Sequence, residues 1–187
     1  MNIHEYIPAK NYKKISGVLV ILIAAACGFF AFPTLFPQMS MRWIFQLSGV
    51  ACLVAILFFA TRYISKAVVY RLVQTDEEGI DFTVTEVTNG GKKHVTVCRF
   101  DVKNVERAEL FYASNSKDDA SKKAMVKQAK KDKRKTFNYC GDINPAVVCY
   151  LFVSECGEKL LIKLTPDATI YGYFKKAAEA VDKADEE

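Results

Sequence analysis

Uncharged apolar residues concentrate in two runs near the start of the 187-residue chain. The first run covers residues 15–36 (ISGVLVILIAAACGFFAFPTLF) and the second covers residues 43–61 (WIFQLSGVACLVAILFFAT). A helix that rises about 1.5 Å per residue needs roughly 20 apolar residues to cross a hydrocarbon core of about 30 Å. The pattern therefore predicts transmembrane helices at 15–36 and 43–64, after an N-terminal segment at 1–14.

Basic residues near these runs predict how the two helices are oriented. Residues 37–42 are too few for more than a tight connection, so the helices form a hairpin with both chain ends on one side. The connection carries only Arg42, whereas the side of the chain ends carries six cations. These are Lys10, Lys13, Lys14, Arg62, Lys66 and Arg71. Because Lys and Arg are enriched in short cytoplasmic loops, a multi-pass protein of the cell membrane with both termini in the cytoplasm is expected.

A lipoprotein signal peptide is the rival interpretation of the first run. Lysines at 10–14 would form its basic region, and AAAC would form a cleavage site that ends at Cys27. Ala24 stands three residues before Cys27, where a larger aliphatic residue is usual. The apolar run also continues past Cys27 and a second span follows, so the hairpin is the preferred interpretation.

Beyond residue 67 the apolar positions alternate with polar ones, which is typical of β-strands and marks a domain at 67–183. Strands are predicted at 67–74, 80–87, 93–100, 104–112, 136–140, 146–154 and 159–164. The turn 88–91 (TNGG) is the strongest hairpin signal, since Asn-Gly supplies the positive φ angles of a two-residue turn. The connections are short except at a basic insert, 114–135.

The last part of the domain is predicted to be an amphipathic helix. Thr165 can cap its N-terminus, and Pro166 suits the first helical position. Apolar residues then recur at helical spacing, at Ile170, Tyr173, Phe174, Ala177 and Val181. This spacing predicts that one face of the helix is buried against the sheet.

An up-and-down order of about seven strands closed by a C-terminal helix resembles the pleckstrin-homology (PH) superfold. The stretch FDVKNVERAEL (100–110) adds to the resemblance, because Val102 and Val105 form an apolar pair just before a strand. The order of parts is similar to that of bacterial membrane proteins in which a transmembrane hairpin precedes a PH-like domain. The resemblance implies an α+β membrane protein with a PH-like antiparallel β-barrel and a C-terminal capping helix. The strand spacing also fits another small barrel.

The basic insert holds the whole positive excess of the chain. Residues 116–135 carry +6, and the net charge of the chain is +5, so the other residues sum to −1. Ser116 and Asp119 resemble a capping box, and good helix formers follow, which predicts a helix of about 19 residues. The cations that could contact an anionic surface are Lys117, Lys122, Lys123, Lys127, Lys130, Lys131, Lys133, Arg134 and Lys135.

Three kinds of partner remain open for this insert: solvent or a protein, an anionic membrane surface, and nucleic acid. Each Lys or Arg near an anionic leaflet is worth about 1 kcal/mol, although the apolar face of the predicted helix is too thin to insert into lipid. Nucleic acid is disfavoured, because the window contains no aromatic stacking residue and only one Arg among eight Lys.

No other part of the sequence predicts a binding site. The loop after the first strand of the domain, 75–79 (TDEEG), carries three carboxylates that repel phosphate, so the phosphoinositide site of classical PH domains is not carried over. His94 and Cys98 are spaced like metal ligands, but on a strand they would lie about 13 Å apart. The cysteines of the soluble part are expected to be reduced thiols packed in a core; they are Cys98, Cys140, Cys149 and Cys156.

The sequence contains two histidines and no catalytic motif, so no catalytic, cofactor or metal residue is expected. We expect a non-enzymatic, membrane-anchored scaffold or regulatory interaction module at the inner membrane surface. Its basic insert would contact anionic lipid headgroups or a protein partner. The alternative is a membrane-tethered domain that binds nucleic acid or a ligand.

Overall fold

The structure is a computed structural model that describes residues 2–36, 38, 41–75, 79–88, 91–113 and 116–184, with only the backbone at 116–119, 182 and 184. The chain divides into two compact units. Residues 10–66 form the helical unit, and residues 1–9 together with 67–187 form the sheet unit.

The helical unit is a pair of long apolar helices. Helix α1 covers Tyr12–Leu35, and α2 covers Arg42–Phe59 and continues as one π-helical turn at Ala60–Ile64. Both are long and apolar enough to cross a membrane, and their extents agree with the two predicted spans. The helices pack closely where Gly49 of α2 faces the ring of Phe30.

The first sheet contains four antiparallel strands in chain order. They are β1 (Asn2–Tyr6), β2 (Ala67–Gln74), β3 (Ile80–Thr88) and β4 (Lys93–Asp101). Thr88 lies opposite Lys93, which confirms the predicted hairpin, although Asn89 and Gly90 of its turn lie outside the described residues. The sequence did not predict β1: within the N-terminal segment 1–14, a strand pairs with β2 and places Glu5 opposite Arg71.

The second sheet is mixed, with the strand order β5-β7-β8-β6. Its strands are β5 (Val105–Tyr112), β6 (Lys135–Asn138), β7 (Val147–Glu155) and β8 (Glu158–Leu164). A short 3-10 turn, Val102–Asn104, precedes β5. The expected all-antiparallel order is wrong at β6, which runs parallel to β8. The strands that the structure describes form two four-stranded sheets, so the expected closed barrel is not confirmed.

Helix α3 (Ser116–Lys131) explains the parallel strand. Strands β5 and β6 lie at opposite edges of the second sheet, three strand spacings or about 14 Å apart. The 16 residues of α3 span about 24 Å, enough to carry the chain across the sheet. The chain therefore enters β6 at the far edge, in the direction of β8.

Both sheets and the C-terminal helix α4 (Ala168–Ala184) contribute to one apolar core. Phe82 and Phe100 of the first sheet contact Phe174 of α4, with ring centroids 5.0 Å and 6.2 Å from the Phe174 ring. Leu151 and Ile162 of the second sheet are fully buried in the same cluster. The predicted amphipathic helix is therefore confirmed, and the core is filled with apolar side chains.

The predicted cap of α4 is wrong by two residues. Asp167 caps the helix, because its Oδ1 accepts a hydrogen bond from the backbone N–H of Ile170 at 3.0 Å. Thr165 has a different role, since its backbone N–H donates to the hydroxyl of Tyr70 at 3.2 Å. The Tyr70 hydroxyl also donates to the carbonyl of Tyr139, so this buried tyrosine joins the two sheets.

Candidate anion-binding groove

Helix α3 of the basic insert is docked on the outer face of the second sheet. Met125 and Ala129 are buried one turn apart and pack against Phe111, Phe152 and Leu161. The predicted helix is confirmed and ends at Lys131, a few residues earlier than expected. The side chains of the expected capping box, Ser116 and Asp119, lie outside the described residues.

The end of α3 is fixed by its backbone. The N–H groups of Lys133 and Arg134 donate to the carbonyls of Lys130 and Ala129, at 3.2 Å and 2.9 Å. Lys133 adopts a left-handed φ of 53°, so the turn is a Schellman motif. This geometry places Lys133 at the helix end and points the chain towards β6.

Arg134 makes structural contacts within the domain, whereas the sequence predicts it at an anionic surface. Its side chain is 7% exposed, and its guanidinium carbon lies 4.7 Å from the ring centroid of Phe152. Its Nη2 donates to Oε2 of Glu106 at 2.6 Å. Burial opposes ionisation of Glu106, but hydrogen bonds from Ser154 and Arg134 lower the pKa of this carboxyl below its ordinary value.

Lys135 and Lys117 are the last and first cations of the predicted set. Lys135 forms an ion pair with Glu158 across the edge of the second sheet. The side chain of Lys117 lies outside the described residues. Among the residues whose side chains the structure describes, the candidate surface is therefore formed by the lysines along α3 and at its end.

A groove of about 370 Å³ lies between α3 and β7. Its lining residues are Lys122, Lys123, Val126, Lys127, Lys130 and Tyr150. The five helical positions fall at spacings of one, three or four residues, so they share one face of α3. Four of the predicted cations are therefore brought together, and Lys131 is exposed beside them.

Tyr150 of β7 lines the groove on the side of the sheet. Its ring is half-buried and meets the ring of Phe111 edge-on, with centroids 5.5 Å apart. The Nζ atom of Lys163 lies 6.0 Å from the Tyr150 ring centroid, and that of Lys122 lies 6.0 Å from the Phe111 centroid. Burial raises the pKa of Tyr150, so its hydroxyl stays protonated at neutral pH and can donate to an anion.

Three of the four groove lysines have no acidic partner in the described part of the chain. In the described part of the chain, Lys123, Lys127 and Lys130 take part in no salt bridge. Like charges three or four residues apart on a helix destabilise it by a few tenths of a kcal/mol per pair. Cations near the C-terminus of a helix recover part of this cost. The arrangement therefore leaves a local positive potential that can attract an anion.

A second groove, of about 400 Å³, lies at the ends of β3 and β4. Its charged groups neutralise one another: Arg99 pairs with Asp81, and Lys103 pairs with Asp101. Nearby, Arg71 is held by Glu5 at 2.8 Å. The three carboxylates of the acidic loop 75–79 lie outside the described residues. This groove has mixed charge and no clear preference for an anion.

No metal site is found among the described residues, where no three His, Cys, Asp or Glu side chains are grouped together. His94 contacts the carbonyl of Gly91 at 2.9 Å, and Cys98 is half-buried on the same strand. All six cysteines are free thiols; Cys140 and Cys149 are buried. The other histidine, His4, contacts Asp167 at 2.6 Å and ties β1 to the start of α4.

Comparison of the chain with family models, with curated proteins and with solved structures gives no match. Function is therefore inferred from geometry and charge.

The sequence predicted the lysines of the groove but did not predict Tyr150, which has no feature that distinguishes it from the other residues of an apolar strand. A signal for Arg134 was present: it is the one guanidinium among eight lysines, and a planar guanidinium suits stacking and carboxylate pairing.

Proposed function

We propose that this chain is a non-enzymatic interaction module anchored in the cell membrane. Helices α1 and α2 span the bilayer, and the sheet unit lies on the cytoplasmic side as a PH-like domain. The basic insert contacts anionic lipid headgroups or a protein partner. In this role the protein acts as a scaffold or a regulator.

The observation that carries the proposal is the pairing of β1 with β2. Strand β1 ends at Tyr6, before α1, and β2 begins at Ala67, after α2. Two strands that share hydrogen bonds cannot lie on opposite sides of a bilayer. If the helices cross a membrane, they therefore cross it as a hairpin. Cleavage after a signal peptide would remove β1, so the pairing also speaks against the lipoprotein alternative.

The exposure of the two helices supports a membrane location. In the most apolar stretch of each helix, only 11% of the residues of α1 and 6% of those of α2 are buried within the protein. A core helix of a soluble domain would bury most of these side chains, because their exposure to water is costly. The excess of Lys and Arg on the side of the chain ends supports a cytoplasmic position of the sheet unit.

The strand order supports a PH-like domain. The first sheet contributes four consecutive antiparallel strands, and β5, β7 and β8 add three more before the C-terminal helix. Helix α3 and β6 together then form an insertion into this order. In this arrangement the membrane hairpin lies between the first and second strands of the domain, rather than before the domain.

An interaction module is favoured over an enzyme by where the grooves lie. Both grooves described above are on the surface, and the interior is filled by apolar side chains such as Phe82 and Phe174. Catalytic carboxylates need desolvation or a charged neighbour to shift their pKa for acid–base work. Among the described residues, Glu106 has a lowered pKa, and this carboxyl is bound to Arg134 in a structural pair.

Alkaline carbonate extraction tests the membrane part of the proposal. Membranes from cells that produce the full chain are washed at high pH and sedimented. We expect the protein to stay in the membrane pellet, because two apolar helices hold it in the bilayer. Release of the protein into the supernatant would contradict the proposal, since a peripheral protein is removed by this treatment.

A further inference from the structure

We propose that the groove between α3 and Tyr150 binds the phosphate groups of anionic lipid headgroups. This inference rests on the proposed function, because it needs the sheet unit to lie at a membrane surface. It adds the site and the chemistry: Lys122, Lys123, Lys127 and Lys130 line the groove, and their ammonium groups bind phosphate. The hydroxyl of Tyr150 is a neutral donor to the same anion.

The size and lining of the groove fit such a ligand. Its volume of about 370 Å³ lies at the lower end of the range for small-molecule sites, and a single headgroup is a small ligand. Lysine ammonium groups are flexible point charges with three donors each, so they adapt to phosphates that arrive in different orientations. Val126 and the Tyr150 ring add apolar surface that can contact the glycerol part of a lipid.

The groove is held in place by residues that do not contact the anion. Met125 and Ala129 bury the neighbouring face of α3, and Arg134 fixes its end through Glu106. The backbone of α3, which carries the groove lysines, is therefore held in place before any ligand binds. Pre-organisation of this kind lowers the ordering cost of binding, and a membrane anchor raises the local concentration of headgroups.

Nucleic acid offers phosphates too, but the groove fits it less well. Non-specific single-strand binders stack successive bases on several aromatic side chains along a basic channel. In the part of the chain that the structure describes, the lining of this groove contains one aromatic residue, Tyr150. Binding of an oligonucleotide is therefore an outcome that the experiment must separate from lipid binding.

Lysine footprinting in nanodiscs tests the inference on the full chain. The protein is reconstituted in discs of phosphatidylcholine alone or of phosphatidylcholine mixed with phosphatidylglycerol, acetylated briefly, and analysed by mass spectrometry. We expect Lys122, Lys123, Lys127 and Lys130 to react about fivefold more slowly in the anionic discs. Lys92 and Lys93, exposed next to the β3–β4 turn, serve as internal controls and should react equally in both discs.

Two further measurements distinguish lipid phosphate from the phosphate of a soluble small molecule or of a nucleic acid. Glycerol 3-phosphate or a single-stranded oligonucleotide is added to the neutral discs at physiological salt. Protection of the groove lysines by either soluble probe, without protection in the anionic discs, would overturn the lipid assignment. Equal reactivity of the groove lysines in both kinds of disc would overturn it as well. A protein that enters the discs but shows no protection leaves the proposed function intact, whereas a protein that does not enter them contradicts the proposed function.

A matched pair of variants gives a second readout. In one variant the four groove lysines are changed to Gln, and in the other Lys92, Lys93, Lys159 and Lys176 are changed to Gln. Both variants lose the same charge. Native mass spectrometry then counts the phosphatidylglycerol molecules that remain on the protein in detergent. We expect the groove variant to retain fewer than the matched variant, and equal retention would overturn the inference.

Discussion

The guanidinium of Arg134 lies 2.6 Å from the carboxylate of Glu106, and this ion pair joins the end of the basic insert to β5. The Ser154 hydroxyl donates to the other oxygen of Glu106 at 2.5 Å. Phe152 lies against the guanidinium on one side. Arg134 thus fixes the end of the insert, while Met125 and Ala129 pack its helix on the sheet.

Replacing Arg134 by Met should destabilise the domain by about 2 kcal/mol. The substitution leaves Glu106, which is 35% exposed, without its partner; the loss is therefore smaller than for a fully buried pair. Lys135→Met is the matched control, since Lys135 and Glu158 are both more than half exposed, and its loss should stay below about 0.5 kcal/mol. Urea unfolding in detergent measures both, and equal losses would contradict the structural role of Arg134.

The Glu106 pair should also make stability depend on pH. The folded state lowers the pKa of Glu106 below its ordinary value of 4.5. Its stabilisation is therefore fully present above that value and is lost as the pH falls through the lower folded-state pKa. We expect wild type to be more stable than Glu106→Gln at pH 7, with a difference that shrinks steadily below pH 4.5. A difference that does not change down to strongly acidic pH would show that the charge of Glu106 is irrelevant.

Gly49 should be required for close packing of α1 against α2. A Cβ at this position would lie 2.8 Å from the ring of Phe30, so Gly49→Ala forces the ring or the helices to move. We expect a loss of about 1–2 kcal/mol, seen as a lower melting temperature of the helical signal in detergent. Gly28→Ala is the control, because a Cβ there has no neighbour within 4 Å. A melting temperature that is as low for the control would point to a general effect of the added methyl group.

A disulfide should form between strands β1 and β2. Glu5 lies opposite Arg71, and opposite residues of antiparallel strands have Cα atoms about 4.5–5.5 Å apart, within the range of disulfide bonds. The variant Glu5→Cys/Arg71→Cys should therefore cross-link on mild oxidation of membranes, as detected by peptide mass spectrometry. Glu5→Cys/Gln74→Cys is displaced by about 10 Å along β2 and should not cross-link. Cross-linking of both pairs, or of neither, would contradict the register.

Sequence periodicity predicted the local elements of this fold well. The two uncharged runs became α1 and α2, and alternation with one slip located the strands that flank the 88–91 turn. These signals depend only on neighbouring residues. The face of α4 that carries Ile170 and Phe174 was found in the same way, because helical spacing is a local property.

Pairing between distant parts of the chain was not predictable in the same way. Strand β1 has five residues with weak alternation, and its partner is more than 60 residues away, so nothing local identifies it. The parallel position of β6 depends on α3 crossing the second sheet, which a charge run does not reveal. The role of Arg134 depends on Glu106, a residue of another strand. Charge alone could not distinguish Arg134 from the lysines that face the groove.

Cysteine labelling in intact cells tests the central claim most directly, namely that the sheet unit lies on the cytoplasmic side of a membrane hairpin. Cys156 is exposed in the turn between β7 and β8, whereas Cys140 is buried and unsuited to labelling. A membrane-impermeant maleimide should label Cys156 only after permeabilisation, and Cys156→Ser should abolish that signal. In the Cys156→Ser background, Met41→Cys between the two helices should be labelled from outside intact cells. Labelling of Cys156 in intact cells, with protection of Met41→Cys, would contradict the account.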